Sequence, residues 1–414
     1  MTSKTLQSLQ DAIIAGNIPQ IVLHMIIYAI DSRSSDIHIE PEKNTVRIRY
    51  RIDGVLRPIV EYPLNIHPAV ISRIKIMSNL KIDEQRVPQD GRCQVTTEDN
   101  REMDLRISTF PTVNGEKAVM RIQDEAKKIP TLEELGLEGS GLKRVMAGVS
   151  QPNGIILTSG PTGSGKTTTL YACLMILNKT DVNILTIEDP VEIQMDGLNQ
   201  SQIHPDINYS FANGLRSALR QDPDIMMVGE IRDRETVDIA IESALTGHLV
   251  LSTIHTNSAV ETITRIDNMD VPLFLMTSTI HTVIAQRLVR RVCPSCREKY
   301  LPDDDTLALI RKTLEGIPQG ENIDPQLLRD LIFYRSKGCA ECDGVGYRGR
   351  VGLYEVLSMT NDLRRLILKR VPSMDIQEEA RKSGMVTLEQ SGVIKALRGE
   401  TTLEEVYRVA RKKE

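Results

Sequence analysis

Tryptophan is absent from the chain, and aromatic residues fill only 3% of its 414 positions. Rings on which successive bases could stack are therefore scarce, which argues against a single-strand nucleic-acid binder. Charge of one sign is missing too: Lys and Arg number 51 against 56 Asp and Glu, for a net charge of -5. That balance implies neither a dominant basic surface nor a charge-driven disordered tail. Long apolar runs are also lacking. The longest, Ile18 to Ile30, contains His24 and falls short of the roughly 18 apolar residues that a bilayer crossing needs. No charged-then-apolar leader opens the chain. With 40% hydrophobic residues over this length, the expectation is a cytosolic protein of two or three domains, each burying its own core.

What is present begins as a mixed α/β pattern. Pro19 can open a helix running to about Ala29, and Asp36 to Glu40 alternates as a strand does. Val46 to Ile52 alternates strictly, places Arg47, Arg49 and Arg51 on one face, and ends in Asp53-Gly54, a hairpin turn signal. A helical stretch from about His67 to Asn79 precedes two strand segments near Glu102–Ser108 and Lys117–Ile122. Lys127-Lys128-Ile129-Pro130 reads as a linker. From Gly141 the pattern changes to short continuous apolar runs: 155–157, 184–187, 225–228 and 249–251. Such runs suit strands buried on both faces, hence a parallel sheet with helices on either side. From about Thr360 the chain reads as helical, with Gly399 ending one helix and Thr402 and Glu405 forming a capping box for the last. The expected division is 1–125, an N-terminal α/β domain; 126–140, a linker; 141–290, the core; 291–355, a cysteine module; and 356–414, a helical segment.

The strongest motif is Gly160-Pro161-Thr162-Gly163-Ser164-Gly165-Lys166-Thr167-Thr168, placed between a strand and a helix. Glycines let backbone N–H groups converge on phosphates, and the helix N-terminus favours their charge. Lys166 would reach the β- and γ-phosphates of ATP, and Thr167 would ligate Mg²⁺. Carboxylates for metal and water are offered by Glu188 and Glu230, each at the end of a buried strand, where parallel sheets bind ligands. Spacing alone does not divide the labour between them, and Asp189 and Glu192 stand close by.

Of the six cysteines, Cys93 and Cys173 stand alone and read as small core residues. Cys293-Pro294-Ser295-Cys296 and Cys339-Ala340-Glu341-Cys342 supply four thiolates, enough for a closed, structural Zn²⁺ site. A redox pair or unligated thiols are the competing readings. The insert between the pairs, with Pro302, Asp303 to Asp305, Pro318 and Pro325, reads as a helical excursion.

Further motifs stand in a fixed order around the phosphate loop: Thr186-Ile187-Glu188-Asp189-Pro190-Val191-Glu192, Asp222-Pro223-Asp224 leading to Gly229-Glu230-Ile231-Arg232-Asp233, and Thr246-Gly247-His248 with Ser252-Thr253-Ile254-His255-Thr256. Together they resemble the Walker A, Asp box, atypical Walker B and His box of the secretion ATPases. Ser35 to Pro41 and Val87 to Arg92 match the same family upstream. The resemblance implies a PAS-like N-terminal domain and a RecA-like ATPase core. It implies that Glu188 activates water, that Glu230 holds Mg²⁺, and that His248 and His255 approach the γ-phosphate. Arg216 and Arg220 would line the nucleotide cleft, and Arg106 and Arg121 would stabilise phosphate charge on domain closure. Periodicity alone does not prefer those last two to Arg47, Arg49 or Arg51.

The cysteine module followed by Gly344 to Arg350 resembles that of pilus-extension and type II secretion members, whereas retraction ATPases lack it. A homo-hexameric motor follows, acting on an inner-membrane platform protein and associated cytoplasmic assembly proteins, at the inner face of the cytoplasmic membrane. The chain begins close to Ser35–Pro41, so the docking module of many assembly members is expected to have no counterpart. A nucleic-acid translocase is the main alternative; the short basic cluster Arg287, Arg290, Arg291 and the scarce aromatics speak against it, and no nucleic-acid partner is expected. A non-catalytic nucleotide binder is disfavoured because Lys166, Thr167, Glu188 and Glu230 leave each catalytic role filled.

Overall fold

Alternating side chains explain the first sheet. In the strands Ser34–Pro41 (β1) and Thr45–Ile52 (β2), Ile37, Ile39, Val46, Ile48 and Tyr50 are fully buried, and the polar residues between them face outward. The computed structural model describes residues 2–96, 102–124, 128–318, 320–321 and 323–410. They form two compact units, Met1–Lys128 and Ile129–Glu414.

The first unit adds Val55–Pro63 (β3), Gln89–Thr96 (β4), Glu102–Thr112 (β5) and Gly115–Asp124 (β6), in the order β3-β2-β1-β6-β5-β4. Its buried face packs on the helices Ile18–Asp31 and His67–Met77 through Ile21, Met25, Val70 and Ile74. Asn17 caps the first of these, accepting from the N–H of Gln20, with Pro19 in the first turn. The helix Thr2–Ile14, β3 and β4 were not anticipated from sequence. Arg57 and Pro58 break the alternation of β3, and Gly91 interrupts β4.

In the second unit the expected parallel strands appear as Gly154–Ser159 (β7), Ile184–Glu188 (β8), Ile225–Val228 (β10) and Leu249–Ile254 (β11), with Asn199–Gln202 (β9) at one edge. Successive residues feed opposite cores. Ile155 and Leu157 join one hydrophobic cluster and Ile156 the other; Met226 and Val228 oppose Ile225 and Met227. A strand buried on both faces has no polar positions to spare, which is why these runs are continuous.

The sheet is not wholly parallel. Ile280–Val292 (β12) pairs with β7 in parallel, and Tyr347–Ser358 (β15) closes the edge antiparallel to β12. Residues 347–355, expected in the cysteine module, thus serve the core sheet. Arg297–Tyr300 (β13) and Phe333–Ser336 (β14) form a separate hairpin, and the insert between them holds the helices Asp304–Leu314 and Pro325–Asp330. Of the expected linker, residues 126 and 127 lie outside the described residues. Ile129, Leu132 and Leu137 are buried in the second unit's core. At the C-terminus Gly399 follows the helix Leu388–Leu397 at φ 72°. Thr402 accepts from the N–H of Glu405, but the Glu405 carboxylate turns to Arg290 and Arg408 rather than completing the box.

Candidate functional site

Because β7, β11, β10 and β8 are parallel neighbours, their C-terminal ends share one edge of the sheet. Residues 160–165 leave β7 at that edge and lead into the helix Lys166–Leu177. Gly160 sits at φ 151°, and a Cβ there would lie 2.5 Å from Ser164 Oγ and 2.6 Å from Gln286 O, so no other residue fits. Pro161, Thr162 and Gly163 are exposed, Gly163 at φ 76°, and Gly165 enters the helix at φ 86°. Lys166 folds back, donating to Gly160 O at 2.9 Å and Pro161 O at 3.3 Å. Burial pushes its pKa down; Glu230 and Glu192 oppose this, and Arg287 adds to it. Thr167 and Thr168 occupy the first helical turn. The hydroxyls of Ser159 and Ser164 are buried without a hydrogen-bond partner among the described residues, which fits a loop shaped for an external acceptor such as a phosphate oxygen.

Glu230 follows β10 at the same edge. Gly229 N–H donates to Ile187 O at 2.8 Å and Ile231 N–H to Thr253 O at 2.8 Å, which fixes the turn. The carboxylate pairs with Arg232 and lies 3.3 Å from His255 Nε2. That hydrogen bond with Glu230 raises the Arg232 pKa. Lys166, Thr167, Glu230 and His255 are thus carried to one edge of the sheet.

Glu188 stands differently. It is the last residue of β8, only 2% exposed. One carboxylate oxygen accepts from Thr186 Oγ1 at 2.6 Å and Gln200 Nε2 at 3.1 Å; the other accepts from Tyr171 Oη. Gln200 also donates to Ile193 O at 3.0 Å and accepts from Met195 N–H at 2.7 Å. Tyr171 bonds the backbone of Glu192 and Ile193 as well, and burial drives its own pKa well up. The carboxylate is therefore the hub that shapes the loop after β8, and that loop presents the exposed Glu192. Water activation is implied for Glu188 by resemblance; here its two oxygens already accept from three protein donors. Tyr171 and Gln200 were not singled out in the sequence, and Thr186 only as the first residue of the motif around Glu188, since nothing in their spacing links 171, 186 and 200.

Five other expected residues stand on other elements, three of them in this unit and two in the first. His248 precedes β11 while His255 follows it, so the strand holds them at opposite ends of the sheet, roughly 20 Å apart at the usual rise per residue. His248 Nδ1 lies 2.9 Å from Ser243 O and 3.2 Å from Thr246 Oγ1. It is therefore not beside the phosphate loop of its own chain. Arg216 and Arg220 are exposed on and just after the helix Phe211–Ala218. Arg216 pairs with Glu235 at 2.7 Å, and Arg220 donates to Arg216 O at 2.7 Å. Arg106 and Arg121 belong to the first unit, directly opposite one another on β5 and β6. Arg287, by contrast, was read only as part of a short basic cluster; it is nearly buried, and its guanidinium donates to Asn257 O at 2.9 Å and reaches 3.2 Å from the Cβ position of Gly160.

The four cysteines of the module meet at one point, with every Sγ within 4.8 Å of the others. The Sγ···Sγ separations include 3.9 Å for Cys293–Cys339, 3.8 Å for Cys296–Cys342 and 3.7 Å for Cys339–Cys342. A tetrahedron of sulfurs about 2.3 Å from a zinc ion has edges of about 3.8 Å, so the thiols fit that ion. Cys173 is fully buried and its thiol pKa is pushed up to about 12 by burial; Cys93 is half-buried against the first unit's core. No described helix is long and apolar enough to cross a membrane.

Comparison with known proteins places the chain among relatives. The family model described as "Type II/IV secretion system protein" matches residues 11–408. The "Type IV pilus assembly ATPase PilB" of Myxococcus xanthus is 46% identical over 378 residues, which cover 91% of this chain and 65% of that protein. The "Type II secretion system protein E" of Xanthomonas campestris is 46% identical over 405 residues, covering 98% and 69%. The chain thus spans about two thirds of the length of such relatives: 65% of the first and 66% of the Pseudomonas aeruginosa "Type IV pilus assembly ATPase PilB". Among solved structures, the "Pilus Retraction Motor PilT and Bound ADP" matches at TM-score 0.60 and 27% identity, over 94% of this chain and 97% of that one. The Legionella pneumophila "ATPase DotB" matches in fold, at TM-score 0.68 and 20% identity, over 94% and 95%.

Proposed function

The chain belongs to the type II/IV secretion system protein family, and from that premise we propose that it is an ATP-hydrolysing motor that drives assembly of a type IV pilus or a type II secretion pseudopilus. The observation that carries this reading is the convergence of the phosphate loop, Glu230 and His255 on one sheet edge, with Glu192 acting electrostatically on Lys166. The backbone amides of 160–168 and Lys166 would bind the phosphates of ATP. Thr167 and Glu230 would hold Mg²⁺, which supplies charge neutralisation between the phosphates. His255 would meet the γ-phosphate through the same carboxylate it already touches.

We assign water activation to Glu192, with Glu188 positioning the loop that carries it. Arg106 and Arg121 add positive charge to the transition state. A homo-hexamer follows from head-to-tail contacts that close into a ring; His248, at the far end of β11 from its own phosphate loop, and the exposed Arg216 and Arg220 are then offered to a neighbour's. An inner-membrane platform protein, with cytoplasmic assembly proteins, receives the motion, and the motor works at the inner face of the cytoplasmic membrane. Residues 1–125 serve as the moving domain, 141–290 as the ATPase core, and 291–355 as a zinc-stabilised module.

Phosphate release by the purified chain tests the central claim. Lys166→Ala should abolish turnover with the fold unchanged. Arg106→Ala and Arg121→Ala should each lower the rate by roughly 10- to 1,000-fold at saturating ATP, with far smaller changes in affinity, because the loss lies in the transition state. Arg47→Ala is the control: Arg47 pairs with Glu42 at 2.7 Å on an exposed face. A wild-type chain that binds ATP without hydrolysing it would remove the motor reading.

A further inference from the structure

Arg287 is an unusual cation for the interior of the second unit. It is only 8% exposed, and the groups that hold its guanidinium are neutral. Nη1 donates to Gln286 O at 2.9 Å, and Nη2 donates to Asn257 O at 2.9 Å and Asn257 Oδ1 at 3.2 Å. Among the described residues it forms no ion pair; burial pushes its pKa down, and Glu355 and Glu261 oppose this only through space. A buried charge is costly without a paired counter-charge. The place of Arg287 in the sheet shows what keeps it there.

β12 pairs with β7 in parallel as far as Ala285, opposite Ser159. The next two residues of β12 therefore run beside the phosphate loop rather than beside a strand. Gln286 is buried, and its Oε1 accepts from Thr169 Oγ1 at 2.8 Å in the helix Lys166–Leu177. Its Nε2 lies 2.9 Å from the Cβ position of Gly165, and its carbonyl oxygen 2.6 Å from that of Gly160. Gln286 thus touches both ends of the loop. Arg287 donates to that same carbonyl, and its charge helps to lower the pKa of Lys166. Its other arm crosses to Asn257, two residues beyond His255. Asn257 N–H donates to Glu261 Oε2 at 3.0 Å, so the turn after β11 is held from both sides.

Glu355 completes the group from β15. It stands opposite Ala285, and Leu353 stands opposite Arg287, so Glu355 and Arg287 are diagonal neighbours on one face of the sheet. The Glu355 carboxylate is 3% exposed and accepts from Ala259 N–H at 2.8 Å and Leu388 N–H at 3.4 Å. Those amides belong to the first residues of the helices Ala259–Asp267 and Leu388–Leu397, where free N–H groups and the helix dipole favour an anion. Burial raises the Glu355 pKa, and the two amides and Arg287 oppose it. Pro161, Asn257, Arg287, Glu355 and Leu388 border one cavity of about 890 Å³. Phosphate loop, turn and helix starts therefore meet around a shared opening.

We propose that Arg287 is a positioning residue for ATP turnover, one that fixes the start of the phosphate loop against the turn after His255 and, with Glu355, ties both to the helix starts at 259 and 388. The inference rests on the motor reading and names the residue through which the C-terminal helices sense a filled loop. Phosphate in the loop brings the negative charge that the buried guanidinium lacks. Filling the loop thus stabilises Arg287 where it stands, and with it Asn257 and Glu355. Loss of Arg287 leaves the loop's own amides and Lys166 to bind phosphate, but frees His255 and Glu230 to shift against them.

Hydrogen exchange of the full chain is followed with and without a non-hydrolysable ATP analogue and Mg²⁺. In the unaltered chain the analogue is expected to slow exchange at 160–168 and also at the amides of Ala259 and Leu388. In Arg287→Gln the slowing at 160–168 should remain and that at Ala259 and Leu388 should be lost. The same variant should lower kcat by about tenfold or more with KM changed far less. Arg287→Lys keeps the charge without the two-armed reach and should recover only part of the loss; it carries the exchange test should the glutamine variant not fold. Glu355→Gln should cost turnover less in the Arg287→Gln background than alone, because the two act on one another. Lys312→Ala is the control, an exposed residue in the wall of the same cavity, and should change none of these readouts. Slowing that still reaches Leu388 in both Arg287 variants, or a kcat left intact in them, overturns the inference while the motor reading stands. An unaltered chain that binds the analogue yet hydrolyses no ATP sinks the motor reading, and the exchange pattern alone then judges the coupling.

Discussion

Glu192→Gln is expected to lower ATP turnover by about 100-fold or more with nucleotide binding close to that of the unaltered chain. The loss follows from the chemistry of the edge: an exposed carboxylate whose charge reaches Lys166 can take a proton from water, and an amide cannot. Glu188→Gln is expected to behave differently. Its buried oxygens accept from Thr186, Gln200 and Tyr171, and an amide nitrogen in place of one oxygen would face a donor. Such a buried mismatch costs about 1–3 kcal/mol, so melting should fall, and turnover should fall with it because the loop bearing Glu192 loses its anchor. Steady-state phosphate release measured beside thermal melting separates the two. A Glu188→Gln chain of unchanged stability but abolished turnover, next to an active Glu192→Gln chain, would return water activation to Glu188.

The contrast between those two residues marks how far the sequence could be read. The phosphate loop and the buried strands were legible because their signals are local: glycines at fixed offsets, a lysine at a helix start, and apolar runs that admit burial on both faces. The seven-residue offset between His248 and His255 was equally visible. Its meaning depended on the six residues between them forming one extended strand, which carries one histidine away from the other. Glu188 and Glu192 differ by four positions, and only the fold shows that Glu188 is buried among the donors of Tyr171 and Gln200 while Glu192 is exposed. The alternation of β2 showed which face holds Arg47, Arg49 and Arg51, but no periodicity could report that Arg51 falls in line with Asp36, Arg121, Arg106 and Arg92. That line is a property of strand order, β2-β1-β6-β5-β4, in which sequence neighbours are not all sheet neighbours. The antiparallel edge made by β15 escaped notice for the same reason: its partner β12 lies across the whole cysteine module in sequence.

Metal analysis of the purified chain is expected to find about one zinc ion per chain, and Cys342→Ser to lose it. The sulfur separations already match the edges of a zinc tetrahedron, and two of the four thiols, Cys293 and Cys342, are buried where an unligated cluster would gain little from water. The ion's contribution is to folding. Its binding free energy in small zinc modules is about 10–16 kcal/mol, far more than the β13–β14 hairpin can supply alone. Through that hairpin the effect spreads. Phe333 is fully buried with Leu307 and Ile310 of the insert and with Val393, Leu397 and Leu403 of the C-terminal helices. Cys293 N–H donates to Gly346 O at 2.9 Å and Val292 N–H to Glu400 O at 3.0 Å, tying the module to β12 and to the chain's end. Removing the ion should therefore lower the melting temperature and expose the C-terminal helices to hydrogen exchange. Nucleotide affinity should change much less, because β12 pairs with β7 only as far as Ala285 and the module begins beyond it. Chelation that strips the metal while melting and exchange stay as they were would mean that the four thiols meet without a structural ion.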